Sequence, residues 1–361
     1  MTKIKAAVCH AFNEPMVIEE VDLRAPQAGE VEVSIEAVAV CHSDISLWQG
    51  GFGGSTPAVF GHEAAGIVTG LGAGVKGLAL GDSVAVTLIR ACGTCPSCGS
   101  GHPTVCENPG DGKNSPLATD QGDAMWQALF TGAFAEKVVV DQSQLVKIPA
   151  DMPKDAASLM SCGVITGVGA AVNTANIRPG QNVVVIGAGG VGLNAIQGAR
   201  LAGAARIVAV DTNADKLEAA KEFGATHGVL AEGKPFKEAQ TIFGGRGADA
   251  VLVTVGVASV YDLAPRYLAN RGKVVMVGMP HFGQMASYSP LLMADMGQSI
   301  VGSKMGDVVI KRDIPWMVDL YTQGRLKLDE LITGRWPLEQ VNEAIADTMA
   351  GHARRNVIII K

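Results

Sequence analysis

Apolar and polar positions alternate through the first part of the chain. Val17-Ile-Glu-Glu-Val21 and Val31-Glu-Val-Ser-Ile-Glu-Ala-Val-Ala-Val40 keep a period of two, punctuated by Pro15, Pro26 and Gly29. That period places one face of a strand on a core and the other toward water, so antiparallel strands are expected over residues 1–40. Strand patterning returns over 64–90, where Gly81-Asp82 makes a turn, and at Ala135-Glu-Lys-Val-Val-Val140. Residues 107–131 are polar and glycine-rich and are expected to form a loop. Met152-Pro-Lys-Asp-Ala-Ala-Ser158 predicts a capped turn into a helix leading to Cys162.

The pattern then changes. Short apolar runs at 183–186, 207–210, 250–254, 273–277 and 299–302 alternate with helical stretches such as 214–223 and 260–268. Strands buried on both faces and separated by helices build βαβ units, so the fold class is α/β with a doubly wound parallel sheet. After residue 303 the order is helix 313–323, a strand-like 331–333, helix 338–350 and a last strand at 357–360. Three segments follow: 1–158, 159–302 and 303–361.

Composition supports this picture. Of 361 residues, 48% are hydrophobic and only 5% aromatic, so the core must be aliphatic, as a buried parallel sheet requires. The net charge of −6 and the lack of a basic stripe argue against a nucleic-acid partner. No apolar run reaches the roughly 18 residues of a membrane span, and Met1-Thr-Lys-Ile-Lys-Ala6 lacks a signal peptide's apolar stretch. A cytoplasmic location and no membrane partner are expected.

The strongest single stretch runs from Val183 to Asp211. An apolar strand leads into Gly187-Ala-Gly189-Gly190-Val191-Gly192, a helix-forming run follows, and the next strand ends on Asp211, 19 residues after the last glycine. A lone G-x-G-x-x-G means little in a chain with 45 glycines. Strand, helix and acid in this order make it a dinucleotide fingerprint. Gly187 allows the tight turn, Gly189 opens room for a pyrophosphate, and Gly192 lets helix and strand pack closely. The helix N-terminus offers unpaired N–H groups to phosphate. Asp211 would accept from ribose hydroxyls and repel a 2′-phosphate, which favours NAD over NADP.

The chain has seven cysteines. Cys92, Cys95, Cys98 and Cys106 follow a C-x2-C-x2-C-x7-C spacing, which can close four thiolates on one structural zinc. An iron–sulfur cluster is disfavoured because the ferredoxin spacing, with proline after the last cysteine, is absent. Cys9 stands alone and is expected to be a buried free thiol. Cys41-His42-Ser43-Asp44, Gly61-His62-Glu63 and Ser161-Cys162-Gly163 bring further thiols, an imidazole and carboxylates, each unremarkable by itself.

Taken in this order, these motifs resemble the zinc-containing alcohol dehydrogenases of the medium-chain dehydrogenase/reductase superfamily, nearly end to end. Cys162-Gly-Val-Ile-Thr-Gly167 and Asp211-Thr-Asn-Ala-Asp-Lys216 are similar to the branch that holds dimeric alcohol dehydrogenases and thiol-dependent formaldehyde dehydrogenases. The resemblance implies a partly β-barrel, GroES-like catalytic domain completed by the C-terminal tail, with the Rossmann domain inserted. It implies catalytic zinc on Cys41, His62 and Cys162, hence two zinc ions per subunit, and hydride transfer between an alcohol and NAD. Ser43 would take the alcohol proton, Asp44 would accept from the second nitrogen of His62, and Glu63 would stand beside the metal. Thr166 would lie near the nicotinamide, Lys216 would reach the adenosine ribose, and Arg355 the pyrophosphate. His42 stands where members often carry arginine for the pyrophosphate, and Ser46 where some carry a relay histidine. Phe52, Leu88 and the 108–131 loop are expected at the substrate pocket, for alcohols and aldehydes as small-molecule partners. A homodimer joined through strands near 300 is expected. Dependence on glutathione or mycothiol, and a non-catalytic NAD(H)-binding role, are the alternatives.

Overall fold

The computed structural model describes residues 1–112 and 114–360. The chain divides into two compact units, Met1–Cys162 with Val309–Lys361, and Gly163–Val308. The sequence pattern puts the borders after 158 and 302. The contacts put them after 162 and 308, because residues 303–308 pack on the helix Gly163–Gly169.

The first unit is β-rich. Thr2–Cys9 pairs antiparallel with Val17–Leu23 and with Ala58–Val59 in a five-stranded sheet. The second sheet centres on Glu30–Ala39, which is antiparallel to Ala64–Leu71, Lys137–Asp141 and the C-terminal strand Arg355–Ile359. Residues 134–136 pass from one sheet to the other. Ala7 N–H donates to Phe134 O (2.8 Å), Glu136 N–H to Lys5 O (3.0 Å) and Ile35 N–H to Glu136 O (2.9 Å). The result is a nearly closed barrel around an aliphatic core that includes the fully buried Phe60 and Phe134. The 107–131 stretch is not wholly loop. Leu117–Ala118 pairs with Val17–Leu23, and Trp126–Gln127 runs parallel to Ala58–Val59, while the Trp126 ring packs edge-on to Phe60. Tertiary pairing orders these short strands, which carry too few residues to show a period. Lys113 lies outside the described residues.

The second unit carries a six-stranded parallel sheet. Its order is His227–Leu230, Arg206–Asp211, Asn182–Ile186, Ala248–Val253, Leu268–Met276 and Ser299–Gly302. This is the doubly wound sheet expected. His227–Leu230 escaped the pattern because Val229 is its only fully buried residue. The helix expected over 260–268 is a shorter Ala258–Leu263, followed by a separate turn at Ala264–Tyr267 that begins around Pro265. Proline cannot donate the backbone hydrogen bond that would continue the helix. Among the described residues no helix is long and apolar enough to cross a membrane.

Candidate metal centre and cofactor loop

The strand Glu30–Ala39 delivers Cys41, which caps the helix His42–Trp48 at its N-terminus. Asp44, in the first turn, folds back to accept the Cys41 N–H on Oδ2 at 3.2 Å. Its Oδ1 accepts the Gly61 N–H at 3.0 Å and lies 2.9 Å from His62 Nδ1. One buried carboxylate therefore ties the Cys41 turn to the Gly61–Glu63 segment. Gly61 has φ 90°, and a Cβ there would lie 2.6 Å from the Phe134 nitrogen, so the close crossing needs glycine. Ser161, fully buried, donates its hydroxyl to Ala64 O at 2.8 Å and fixes the backbone just before Cys162.

These segments converge. Ligand atoms of Cys41, His62, Glu63 and Cys162 all lie within 4.8 Å of one another, and all four residues are buried. The hydrogen bond from Cys162 holds the Cys41 thiol well below its ordinary range, against the effect of burial. The same bond, with burial, raises Cys162. Burial alone would lower His62, but Asp44 and Cys41 outweigh it and raise it well above the usual histidine value. Burial pushes Glu63 up to about 7, opposed by the charge of Arg355. Arg355, expected at a pyrophosphate, has its guanidinium ion-paired with Glu63, and both side chains are buried. The C-terminal strand brings it there: Val40 N–H donates to Asn356 O at 2.9 Å.

The donor set fits a metal. His62 Nε2 is buried and has no hydrogen-bond partner, whereas Nδ1 is engaged by Asp44. An unpaired buried nitrogen is costly unless something coordinates it. Two thiols, an imidazole and a neighbouring carboxylate suit zinc in a tetrahedral site.

The four clustered cysteines form a second convergent group, again with sulfurs within 4.8 Å of one another. Backbone N–H groups point at the sulfurs, from Cys92 to Cys106 (3.3 Å), Cys95 to Cys92 (3.3 Å) and Cys98 to Cys95 (3.5 Å). Hydrogen bonds from the Thr94 and Cys95 backbone bring Cys92 down to about 6, while burial and neighbouring thiols push Cys98 up to about 12. Such a crowd of thiols is relieved by one divalent cation.

In the second unit the glycine loop lies between Asn182–Ile186 and the helix Gly190–Leu201. Gly187 has φ 96°, and a Cβ on Gly192 would meet the Gly187 carbonyl oxygen at 1.8 Å, so both glycines are required by the fold. Gly189 differs: a Cβ there meets nothing within 4 Å. Its bareness serves no packing need of the chain, as expected if the space belongs to a ligand. Asp211 ends the next strand. Its Oδ2 accepts the Ala188 N–H at 2.7 Å and its Oδ1 the Asn213 N–H at 3.0 Å.

Residues 27–150 match the alcohol dehydrogenase GroES-like domain, and residues 190–323 match the zinc-binding dehydrogenase domain. The NDMA-dependent alcohol dehydrogenase of Amycolatopsis methanolica is 35% identical over 366 residues, covering 99% of each chain. The chain belongs to the zinc-binding alcohol dehydrogenases. Benzyl alcohol dehydrogenase of Acinetobacter calcoaceticus superposes with a TM-score of 0.93 at 29% identity over 100% of both chains. A zinc-binding dehydrogenase of Sinorhizobium meliloti bound to NADP gives a TM-score of 0.85 at 26% identity, again over 100% of both chains. The protein is thus a zinc-dependent alcohol oxidoreductase.

In this alcohol dehydrogenase the remaining expected residues are distributed as follows. His42 is exposed at the start of its helix, and Ser43 beside it is half-buried. Thr166 is buried on the helix Gly163–Gly169, with its hydroxyl 3.7 Å from Met305 Sδ. Gly190 and Val191 open the helix Gly190–Leu201, and Lys216 is half-buried on the helix Ala214–Phe223. Phe52 and Leu88 are half-buried. The structural parts played by Ser161 and Asn356 went unread. Neither carries a sequence signal, because each acts on residues far away in the chain.

Proposed function

We propose that this alcohol dehydrogenase interconverts primary alcohols and aldehydes with NAD as its hydride partner. The observation that carries the metal half of this reading is the buried, unpaired His62 Nε2 facing the thiols of Cys41 and Cys162. These three residues hold the catalytic zinc, and the four clustered cysteines hold a second, structural zinc. When bound, zinc supplies a Lewis acid at the alcohol oxygen and the nicotinamide supplies a hydride acceptor.

The chain's own residues do the rest. Asp44 accepts from His62 Nδ1–H, which fixes the tautomer and turns the Nε2 lone pair into the pocket. The Ser43 hydroxyl takes the alcohol proton. Arg355 balances Glu63, so a carboxylate can stand beside the metal without being stranded. The glycine loop and the first turn of the helix Gly190–Leu201 bind the pyrophosphate. Thr166 lies at the nicotinamide, and Lys216 with Asp211 at the adenosine ribose. Asp211, held by two backbone N–H groups, puts a carboxylate where a 2′-phosphate would sit, and this supports NAD over NADP.

A homodimer completes the proposal. Ser299–Gly302 is an edge strand whose outer side pairs with no strand among the described residues. The chain before it exposes Phe282 at 97%, Met285 at 85% and Leu291 at 76%. An open edge beside apolar side chains invites a second copy to continue the sheet. Sedimentation giving a dimer agrees with this, and a monomer or tetramer would overturn it.

The deciding experiment follows NADH absorbance with zinc-quantified protein. Primary and secondary alcohols, aldehydes, and formaldehyde with and without glutathione or mycothiol are offered. Turnover of primary alcohols with NAD, lost in Cys41→Ser and His62→Ala, is expected. Activity surviving in those variants, or turnover only with a thiol present, would refute the assignment.

A further inference from the structure

Two residues with side chains stand in succession in the left-handed region, Leu129 (φ 52°) and Phe130 (φ 58°). Only glycine adopts that region freely, and other residues persist there when their surroundings over-determine them. The corner they form springs from the backbone beside the segment that leads into His62. Trp126–Gln127 runs alongside Ala58–Val59, and on the return Ala133 N–H donates to Gly61 O at 2.8 Å. Past His62 the partner changes. Ala64 pairs with Val86, and the chain runs on from there into Thr87 and Leu88. Gln144 joins these two segments. It is fully buried, and its Nε2 donates to Thr87 O at 2.9 Å and to Phe130 O at 3.0 Å. Its Oε1 accepts the Asp141 N–H at 3.2 Å, so both ends of the amide are engaged. Its backbone oxygen accepts the Thr87 N–H at 2.9 Å and the Thr87 hydroxyl at 3.2 Å. The Arg90 guanidinium, two residues past Leu88, lies 5.4 Å from the Phe130 ring centroid and links the same pair of segments.

We propose that Gln144 is a positioning residue that sets the breadth of the alcohol this enzyme accepts. One amide holds the carbonyls of two walls, Leu88 following one and Leu129–Phe130 forming the other, beside the segment that carries His62. This rests on the reading of Cys41, His62 and Cys162 as the place where the alcohol binds. Leu88, Leu129 and Phe130 are half-buried, so each keeps part of its side chain free for a ligand. Gln144 is sealed inside and acts only through them. A left-handed corner held by its surroundings relaxes when a bracing bond is removed, and the wall moves with it. A site whose supporting residues loosen loses the fit that separates one substrate from another. The substrates it separates are straight-chain primary alcohols and those that carry a ring next to the reacting carbon.

The test compares steady-state turnover of n-butanol and cyclohexylmethanol by zinc-loaded wild type and Gln144→Met. Methionine keeps the length and volume of the side chain but leaves both carbonyls without their donor. The ratio of kcat/KM for the ring alcohol over the straight one is expected to rise about tenfold, the discrimination that a small change of pocket fit supplies. Zinc content and NADH Kd are expected to stay at their wild-type values. An unchanged ratio would overturn the proposal, as would both alcohols losing the same factor, the mark of a merely structural loss. A ratio that shifts only in step with loss of zinc would overturn it too. Thr131→Val serves if Gln144→Met fails to fold. It removes the hydroxyl that donates to Leu129 O at 3.0 Å, which loosens the same corner with Gln144 in place, and its ratio must move in the same direction. Wild-type protein that oxidises neither alcohol with NAD or NADP would defeat the reading of the metal centre underneath. Wild-type turnover with an unshifted ratio in the variants would defeat only the part given to Gln144.

Discussion

Asp44 Oδ1 stands 2.9 Å from Nδ1 of His62, and each side chain is 1% exposed. The same carboxylate holds the Cys41 and Gly61 amides. Two segments that supply metal donors are therefore aligned by one group. Asp44→Asn keeps an acceptor but loses the charge, and Asp44→Ala loses both. Zinc affinity of the catalytic site should fall by roughly 10–100-fold, more for alanine than for asparagine. Competition with a chromogenic chelator measures this, and equal affinity in wild type and Asp44→Ala would contradict it.

The Arg355–Glu63 pair is sealed from water. Arg355→Met should cost about 3–5 kcal/mol, because a buried carboxylate is left without its counter-charge. Burial already raises Glu63 to about 7, so the stranded group takes up a proton. Glu63→Gln added to Arg355→Met should return much of the lost stability. Urea unfolding of the four proteins in this cycle tests the coupling, and additive losses would speak against it.

Gly189 and Gly192 belong to one motif and should fail differently when changed to alanine. A Cβ on Gly192 collides with Gly187 O at 1.8 Å, so Gly192→Ala should lower Tm and cofactor binding together. At Gly189 φ is −78° and a Cβ meets open space. Gly189→Ala should fold with an unchanged Tm and still lose NADH affinity. Retained affinity there would remove the pyrophosphate from this loop.

Asp313 predicts an acid limb of stability. It is buried, which alone would raise it, but Arg312, the Val309 N–H (2.9 Å) and Trp316 together hold it below the usual aspartate range. The unfolded chain therefore binds more protons between the two pKa values, and stability rises with pH there. The contribution is full above about pH 4 and is lost as pH falls through the lower folded value. Asp313→Asn should flatten urea midpoints measured across that range, and an unaltered pH slope would exclude the effect.

Metal counting separates the two cysteine groups. Cys106→Ser should remove one equivalent of zinc by mass spectrometry of metals and lower Tm. Cys41→Ser should remove the other equivalent and abolish turnover. A single equivalent in wild type would reject the second zinc.

Local signals in the chain were enough for much of this. The apolar runs, the glycine spacing and the acid at Asp211 specify a parallel sheet with a nucleotide loop, because close packing and a tight turn act between neighbours in sequence. The cysteine spacing likewise identifies a compact thiol cluster. Other features depend on distant segments, and tertiary structure alone decided them. The parallel strand His227–Leu230 has one fully buried residue and is defined by its partner Arg206–Asp211. Trp126–Gln127 became a strand because Ala58–Val59 lies alongside. Arg355 is separated from Glu63 by 292 positions, and only the pairing of the C-terminal strand with residues 37–39 joins them in one pocket. Short-range sterics and periodicity are written in the order of residues. Which buried charge meets which is settled when strands from opposite ends of the chain share a sheet, because burial forces every charge brought inside to find a partner.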